Sequence, residues 1–187
     1  MFFRNSQRRK QILLAGLGGI CIGSMAVGTT AVQASEETGR QSHFQHPPAL
    51  DNVSSAAQTT GAWHDTHFIT IDVPEDAGTP VAELAIHLDT PDVSLDYDTE
   101  DTESFLGQPR DRGDAVDLAS VSHDTEDGMV HVVFDRPVTP GETVTVGLSP
   151  ERNPQLPGVY NLGVTAYSES DRQGGEFLGY ERFHLYD

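Results

Sequence analysis

The sequence predicts an all-β fold, a single antiparallel two-sheet β-sandwich of the immunoglobulin-like type, and three observations support this prediction. From residue 66 onward, short runs of β-branched and aromatic residues alternate with turn residues. No heptad repeat and no long helical period interrupts these runs. The chain beyond residue 34, about 153 residues, is long enough for one domain with its own core. We therefore assign residues 66–187 to the sandwich.

Eight runs have the length and alternation expected of strands. They span residues 66–73, 82–88, 93–97, 115–123, 129–134, 142–148, 159–167 and 177–186. The clearest is 142–148, where Val144, Val146 and Leu148 share one face. The weakest is 115–123, which fits a short strand or a turn of helix. The predicted core residues are Phe68, Ile71, Leu84, Ile86, Val130, Val132, Phe134, Val144, Val146, Leu148, Val164 and Phe183.

The first 34 residues are typical of a secretory signal peptide. Four basic residues within the first ten precede an apolar, glycine-rich run from residue 12 to about residue 27. Val32, Gln33 and Ala34 then place small residues at the two positions that a signal peptidase reads. We expect cleavage between Ala34 and Ser35, with no stable membrane span afterwards.

Three alternatives to a cleaved secretory signal remain open. A retained anchor would need roughly 20 apolar residues, and this run has about 16. The residues after Arg8-Arg9 fit a twin-arginine signal poorly. Cys21 is a candidate for lipidation, but it follows Ile20, whereas a lipidated cysteine normally follows a small residue. Cleavage after Ala34 would remove Cys21, so the exported chain would contain no cysteine and no disulfide.

Residues 35–65 are predicted to form a flexible linker ahead of the sandwich. This segment is polar and is interrupted by Gly and Pro. It shows no strand or helix period, which is typical of a segment that remains mostly disordered.

The charge of the chain argues against two classes of partner. All 29 acidic residues lie beyond residue 34, and this part of the chain has only seven arginines and no lysine. Binding to nucleic acid or to anionic lipid heads requires a basic surface, so neither partner is expected. A lysine-free, Asp-rich chain is expected of a protein adapted to high salt, where a Debye length of roughly 3 Å at 1 M screens self-repulsion. The alternative is an acidic exported protein without such adaptation.

The sequence F-L-G-x-x-R occurs twice in the predicted sandwich. The copies begin with Phe105-Leu106-Gly107 and with Phe177-Leu178-Gly179. Glycine inside a strand commonly marks a bulge or a close backbone approach. We therefore expect a structural irregularity at both copies.

Residues 134–166 read FDRPVTPGETVTVGLSPERNPQLPGVYNLGVTA, and the chain ends in FLGYERFHLYD. Together with the earlier FLGQPR, these stretches resemble the DUF2808 family over roughly residues 68–187. The resemblance implies an exported protein, located in the envelope or secreted, of a mainly cyanobacterial family with no established function. It transfers no catalytic residue, because none is assigned in the family. The most specific motifs are Pro137-Val138-Thr139-Pro140-Gly141, Arg152-Asn153-Pro154, Gly158-Val159-Tyr160 and Gly163-Val164-Thr165-Ala166.

Two groups of side chains are candidates for binding a divalent metal. One is a pair of H-x-x-H motifs whose imidazoles could hold Cu(II) or Zn(II). The other is the acidic stretch 89–103, whose carboxylates could hold Ca²⁺ although their spacing is not that of an EF-hand. A solvated tail and a solvated acidic face are the alternatives. The candidate ligands are His43, His46, His64, His67, Asp96, Asp98 and Asp101.

The sequence contains no motif that predicts an enzyme. It has no G-x-S-x-G elbow, no H-E-x-x-H and no phosphate-binding glycine loop. We therefore predict a non-enzymatic exported module of the cell envelope with a structural or binding role. The expected location is the periplasm, the cell surface or the medium, and the expected partner is an envelope protein or polysaccharide. The aromatic residues that could stack on sugar rings are Trp63, Tyr97, Tyr160, Tyr167, Tyr180 and Tyr186. The alternative function is binding of a divalent metal.

Overall fold

The computed structural model describes residues 44–91, 93–171 and 173–187. Within these ranges the chain forms ten strands and no helix, so none is present there that is long and apolar enough to cross a bilayer. The strands are β1 (Ala49–Ser55), β2 (His67–Asp72), β3 (Val81–Leu88), β4 (Tyr97–Gln108), β5 (Asp111–Ala115), β6 (Leu118–Asp124), β7 (Met129–Val138), β8 (Thr143–Pro150), β9 (Gly158–Ser168) and β10 (Glu176–Leu185).

The strands form two five-stranded sheets, which confirms the predicted all-β sandwich. The first sheet has the order β1-β2-β8-β4-β5 and the second has the order β10-β9-β3-β7-β6. Every neighbouring pair is antiparallel. The chain changes sheet repeatedly, for example between β2 and β3 and again between β7 and β8, so residues far apart in sequence meet at each end of the sandwich.

The core lies between the two sheets, where alternate residues of the central strands are buried. All the predicted core residues are buried except Phe68. In β2 the alternation places His67, Ile69 and Ile71 in the core, so Phe68 lies on the opposite face. There its ring packs against Phe105 at a centroid separation of 6.4 Å. The guanidinium of Arg112 lies 5.2 Å from the centre of the same ring.

The predicted linker differs from the structure over its second half. Strand β1 lies inside residues 35–65 and pairs with β2 from Ala49 opposite Asp72 to Ser55 opposite His67. The prediction of a flexible linker is therefore wrong for residues 49–55. The sequence pattern did not predict this strand because it is an edge strand whose residues are mostly exposed and polar. The predicted signal peptide and residues 35–43 lie outside the described residues.

The acidic stretch also differs from its predicted form. Residues 93–96 are not a strand, and β4 begins at Tyr97 and runs through the acidic residues to Gln108. Its pairing with β8 shifts between Asp98 and Glu103, which gives a broad irregularity in the strand. The run 115–123 corresponds mostly to β6, and β5 precedes it as a separate fully exposed strand.

Both copies of F-L-G-x-x-R form bulges, as expected. The strand register shifts between Phe105 and Gly107, and between Phe177 and Gly179. The two glycines have positive φ angles of 86° and 121°, which side chains rarely tolerate. At Gly107 a Cβ atom would lie 2.5 Å from the carbonyl oxygen of Asp111, so this bulge also requires a bare backbone.

Candidate functional site

One end of the first sheet carries an open groove, which we name the Trp63 groove. Its cavity has a volume of about 400 Å³. The walls come from the loop between β1 and β2, the beginning of β4 and the end of β8. The residues that line the groove are Trp63, His64, Thr66, Asp98, Asp101, Ser149, Pro150 and Glu151.

Trp63 is the most distinctive residue of the groove because its large apolar side chain is 63% exposed. The guanidinium carbon of Arg152 lies 5.0 Å from the centre of the indole, which is a cation–π contact. The backbones of Trp63 and Arg152 also pair as an isolated antiparallel bridge. Arg152 Nε donates to the carbonyl of Gly61 at 3.0 Å, so both side chain and backbone hold the indole in position.

The loop that carries Trp63 is anchored beneath the surface by the buried carboxylate of Asp65. Its Oδ1 accepts hydrogen bonds from the backbone amides of Ala57 at 2.7 Å and Thr66 at 2.8 Å. Its Oδ2 accepts from the hydroxyl of Ser55 and from Nδ2 of Asn153, the latter at 2.7 Å. Burial alone would raise the pKa of Asp65, but these four bonds together outweigh it and lower the pKa.

Asn153 extends this anchor to the core. Its Nδ2 also donates to the carbonyl of Thr59 at 3.0 Å. Its Oδ1 lies 2.9 Å from Nε2 of His67, which is fully buried against Phe183 with a centroid separation of 4.6 Å. Because Oδ1 can only accept, Nε2 carries the proton in this bond. Burial lowers the pKa of His67, against the opposing effects of Asn153 and Asp65, which favours the neutral imidazole.

Backbone hydrogen bonds complete the fixation of the loop. The amide of Gly61 donates to the carbonyl of Pro154 at 2.8 Å, and the amide of Asn153 donates to the carbonyl of Ala62 at 2.9 Å. His64 has a φ angle of 57°, a conformation that a residue other than glycine adopts only when its surroundings impose it. The Trp63 groove is therefore built on a rigid loop rather than a mobile one.

The structure brings together only part of the predicted metal set. His64, Asp98 and Asp101 line the Trp63 groove, whereas His67 lies buried beneath it. His46 is elsewhere, with its Nδ1 3.0 Å from Asp76. Asp96 is not among the lining residues, although its backbone carbonyl accepts a hydrogen bond from the amide of Glu151 at 2.8 Å. In the part of the chain that the structure describes, no three His, Cys, Asp or Glu side chains are placed to hold a metal ion. His43 lies outside it.

Sequence reasoning missed the buried network beneath the groove. Asp65 lies between the histidines of the second H-x-x-H motif, and Asn153 belongs to the Arg152-Asn153-Pro154 motif. These signals were available, but nothing in the sequence indicated that two residues 88 positions apart bond to each other.

A family model described as "Protein of unknown function (DUF2808)" matches residues 41–185. This match begins ahead of β1, and so includes the strand and the loop that the resemblance over residues 68–187 left out. No curated protein shows significant similarity to the chain.

Solved structures with a similar arrangement of strands are distant in sequence. The collagen-binding domain from a Staphylococcus aureus adhesin is 8% identical, with 71% of this chain and 94% of that chain covered and a TM-score of 0.38. The C-terminal domain of the Streptococcus agalactiae AgI/II polypeptide BspA is 12% identical, with 67% of this chain and 44% of that chain covered and a TM-score of 0.42. Similarities this low concern the fold alone and carry no argument about function.

Proposed function

Since the chain belongs to the DUF2808 family, whose function is unknown, we propose from its own geometry that it is an exported, non-enzymatic module of the cell envelope that binds a ligand in the Trp63 groove. The observation that carries this proposal is the exposed indole of Trp63 on an anchored loop. Exposing an aromatic ring forgoes the stabilisation that its burial would give, by about 1.5–3 kcal/mol. A ligand that covers the ring would recover this stabilisation.

The anchor beneath the groove supports a binding role. A ligand loses affinity when it must order a mobile loop, and a rigid loop avoids this cost. Asp65 and Asn153 hold the loop from below, while Arg152 holds it from the side. The sandwich thus acts as a scaffold that presents Trp63.

The same buried residues support the non-enzymatic part of the proposal. Ser55, Asp65 and His67 are the residue types of a nucleophilic triad, but their bonds differ from those of one. In a triad the hydroxyl bonds the imidazole, whereas Ser55 donates to Asp65 and His67 bonds Asn153. All three side chains are buried, so a substrate has no access to them. Their arrangement fits an anchor better than a catalytic site.

The proposal includes an exported location and adaptation to high salt. The basic and apolar character of residues 1–34 supports export. The excess of 29 acidic residues over 11 basic ones supports adaptation to salt. The location is the periplasm, the cell surface or the medium, where the ligand would be an envelope polysaccharide or protein.

Binding to isolated envelopes tests the proposed function. The protein, expressed from the full sequence, would be mixed with envelope fragments before and after removal of their proteins, and the bound fraction measured by sedimentation. We expect saturable binding that Trp63→Ala reduces at least tenfold. The matched control is Phe177→Ala, which removes another exposed aromatic ring outside the groove and should leave binding unchanged. Equal binding by the Trp63→Ala variant and the parent protein would contradict the proposal.

Divalent-metal binding is a second candidate, favoured because His64, Asp98 and Asp101 line one cavity. These side chains do not fit a metal ion in their present positions, so binding would require them to move. Ca²⁺, Cu²⁺ or Zn²⁺ at about a hundred times its Kd would add roughly 2.7 kcal/mol of stability. Thermal unfolding after chelation, at constant ionic strength, would show this as a rise in Tm with one ion that His64→Gln abolishes. No selective rise with any of the three ions would exclude this candidate.

A further inference from the structure

We propose that the Trp63 groove recognises an alkylammonium group, that is, a protonated amine on an apolar stem. This inference deepens the proposed function and rests on it. The source that fits is a lysine side chain of an envelope protein, because its stem is a flexible hydrocarbon chain. An amino sugar of a polysaccharide carries its amine on a polar ring, and the experiment below distinguishes it from lysine.

The first argument is the charge of the walls. Asp98, Asp101 and Glu151 line the groove, and neither Arg nor Lys is among the lining residues. Among the described side chains, none forms an ion pair with any of these three carboxylates. Three carboxylates without an ion pair around one cavity attract a cation and repel an anionic ligand. The lining charge thus favours a cationic ligand over phosphorylated, sulfated and uronic-acid ligands.

The second argument is the behaviour of the indole towards a cation. Arg152 already places its guanidinium over the ring of Trp63, so the molecule itself contains one cation–π contact at this position. A ring has two faces, and the guanidinium covers one of them. Trp63 remains 63% exposed and lines the same groove as the carboxylates. A ligand cation on the indole would be attracted both by the quadrupole of the ring and by the carboxylates that line the groove.

The third argument concerns the size and shape of the ligand. A cavity of about 400 Å³ is far larger than a bare metal ion and falls at the lower end of the range for organic ligands. The ring of Trp63 and the ring of Pro150 offer apolar surface to a hydrocarbon stem. The carboxylates accept hydrogen bonds but cannot donate them, which matches the three donors of an ammonium group. An amine on an apolar stem satisfies all these features together.

Fluorescence of the protein tests the inference directly, because Trp63 is the only tryptophan in the sequence. The full-length protein would be titrated with two pairs of probes, each containing one amine and one neutral analogue of similar shape. The first pair is Nα-acetyl-lysine methylamide and Nα-acetyl-norleucine methylamide. The second pair is glucosamine and N-acetylglucosamine. We expect the lysine derivative to bind with a Kd at least tenfold lower than its norleucine analogue. Preference for an amine in the glucosamine pair alone would overturn the apolar stem and point to a polysaccharide.

Two variants with the same change of charge test the groove itself. Asp98→Asn with Asp101→Asn removes two carboxylates from the groove and should weaken binding of the amine at least tenfold. Asp114→Asn with Glu126→Gln removes two exposed carboxylates elsewhere and should leave the Kd unchanged. Equal weakening in both double variants would show unspecific attraction to an acidic protein and overturn the inference.

The remaining outcomes separate this inference from the proposed function. Equal binding of an amine and its neutral analogue would overturn recognition of an ammonium group while leaving a ligand-binding groove. If no probe binds but envelope binding still depends on Trp63, the proposed function stands and the alkylammonium inference fails. If no probe binds and Trp63→Ala binds envelopes as the parent does, both fail.

Discussion

Asp65, His67 and Asn153 show how a charge is accommodated inside this sandwich. A buried carboxylate is tolerated only when hydrogen bonds replace the water that it has lost. Asp65 accepts four such bonds, one of them from Asn153. Asn153 in turn accepts a hydrogen bond from Nε2 of His67. Removing Asn153 takes one donor from Asp65 and the acceptor from His67, so Asn153 couples the other two residues.

Replacing Asn153 should therefore destabilise the domain strongly. The variant Asn153→Ala leaves His67 without an acceptor and removes one donor from Asp65 and one from the carbonyl of Thr59. We expect the free energy of unfolding to fall by about 2–4 kcal/mol, measured by urea denaturation. The control Asn52→Ala, at an exposed position of β1, should change it by less than about 0.5 kcal/mol. A loss below about 1 kcal/mol for Asn153→Ala would contradict the role of the network.

His67 makes stability depend on pH in a defined direction. Burial lowers its pKa below the ordinary value of 6.5, so the unfolded chain takes up a proton at a pH where the folded chain does not. This contribution to stability is complete above about pH 6.5 and falls with decreasing pH, by at most about 1.4 kcal/mol per pH unit. The lowered pKa of Asp65 adds a second loss below about pH 3.8.

Unfolding free energies between pH 8 and pH 5 provide the measurement for His67. The variant His67→Gln should show a shallower decrease over this range than the parent protein, whatever its absolute stability. The control His184→Gln replaces an exposed histidine and should retain the slope of the parent. Identical slopes in all three proteins would exclude His67 as the source of the pH dependence.

At the scale of the strands, the hydrophobic pattern predicted most of the fold. The interior strands β3, β7 and β8 repeat large apolar residues with period two, and the predicted runs overlap them. Strands β1 and β5 were missed because edge strands need few buried residues and are held by backbone hydrogen bonds, which leave no pattern in the sequence.

The candidate site was predictable only in part, for a physical reason. His64 was proposed in one metal-binding group and Asp98 and Asp101 in another, and the structure places all three in one cavity. The groove itself depends on the meeting of the β1–β2 loop with the loop after β8, and this meeting is set by sheet topology. His67 was proposed as a metal ligand, but the alternation of side chains along β2 places it in the core.

The bulge at Gly107 gives a prediction at the scale of the strand. Gly107→Ala combines a positive φ of 86° with a Cβ atom 2.5 Å from a backbone oxygen. Gly128→Ala has a positive φ of 69° but no atom within 4 Å of its Cβ. We expect losses of about 3 kcal/mol at Gly107 and about 1 kcal/mol at Gly128, because only the first adds a clash to the strain. Equal losses in denaturation would show that the clash relaxes without cost.

The whole molecule is dominated by its negative charge. The full sequence has a formal net charge of −18 at pH 7, with few cations available to pair with the carboxylates. Among the described ion pairs with arginine, Arg112–Glu103 at 2.9 Å and Arg136–Glu142 at 3.4 Å are both partly exposed, so they offset little of the repulsion. Compaction brings the carboxylates closer together, and salt is the available means of screening them.

We therefore expect stability to rise with salt over an unusually wide range. Tm should increase continuously from 0.1 M to about 2 M NaCl, because shorter Debye lengths progressively remove self-repulsion. Replacing the exposed residues Asp114, Asp117 and Glu126 by their amides should raise Tm at low salt and weaken its dependence on salt. A Tm that is constant above about 0.3 M would indicate an acidic protein without adaptation to brine.

The hydrogen bonds between the Trp63 loop and the loop after β8 also determine when the groove can form. The loop emerges from a ribosome or a translocation channel early, but Asn153 follows Asp65 by 88 residues and Arg152 follows Gly61 by 91. Backbone hydrogen bonds from Thr60 and to Gln58 additionally require Tyr186, which follows β10. Contacts between residues this distant in sequence form slowly. The loop therefore cannot be fixed until β8 has been synthesised, and a chain that has emerged only as far as β7 cannot engage the ligand of the groove.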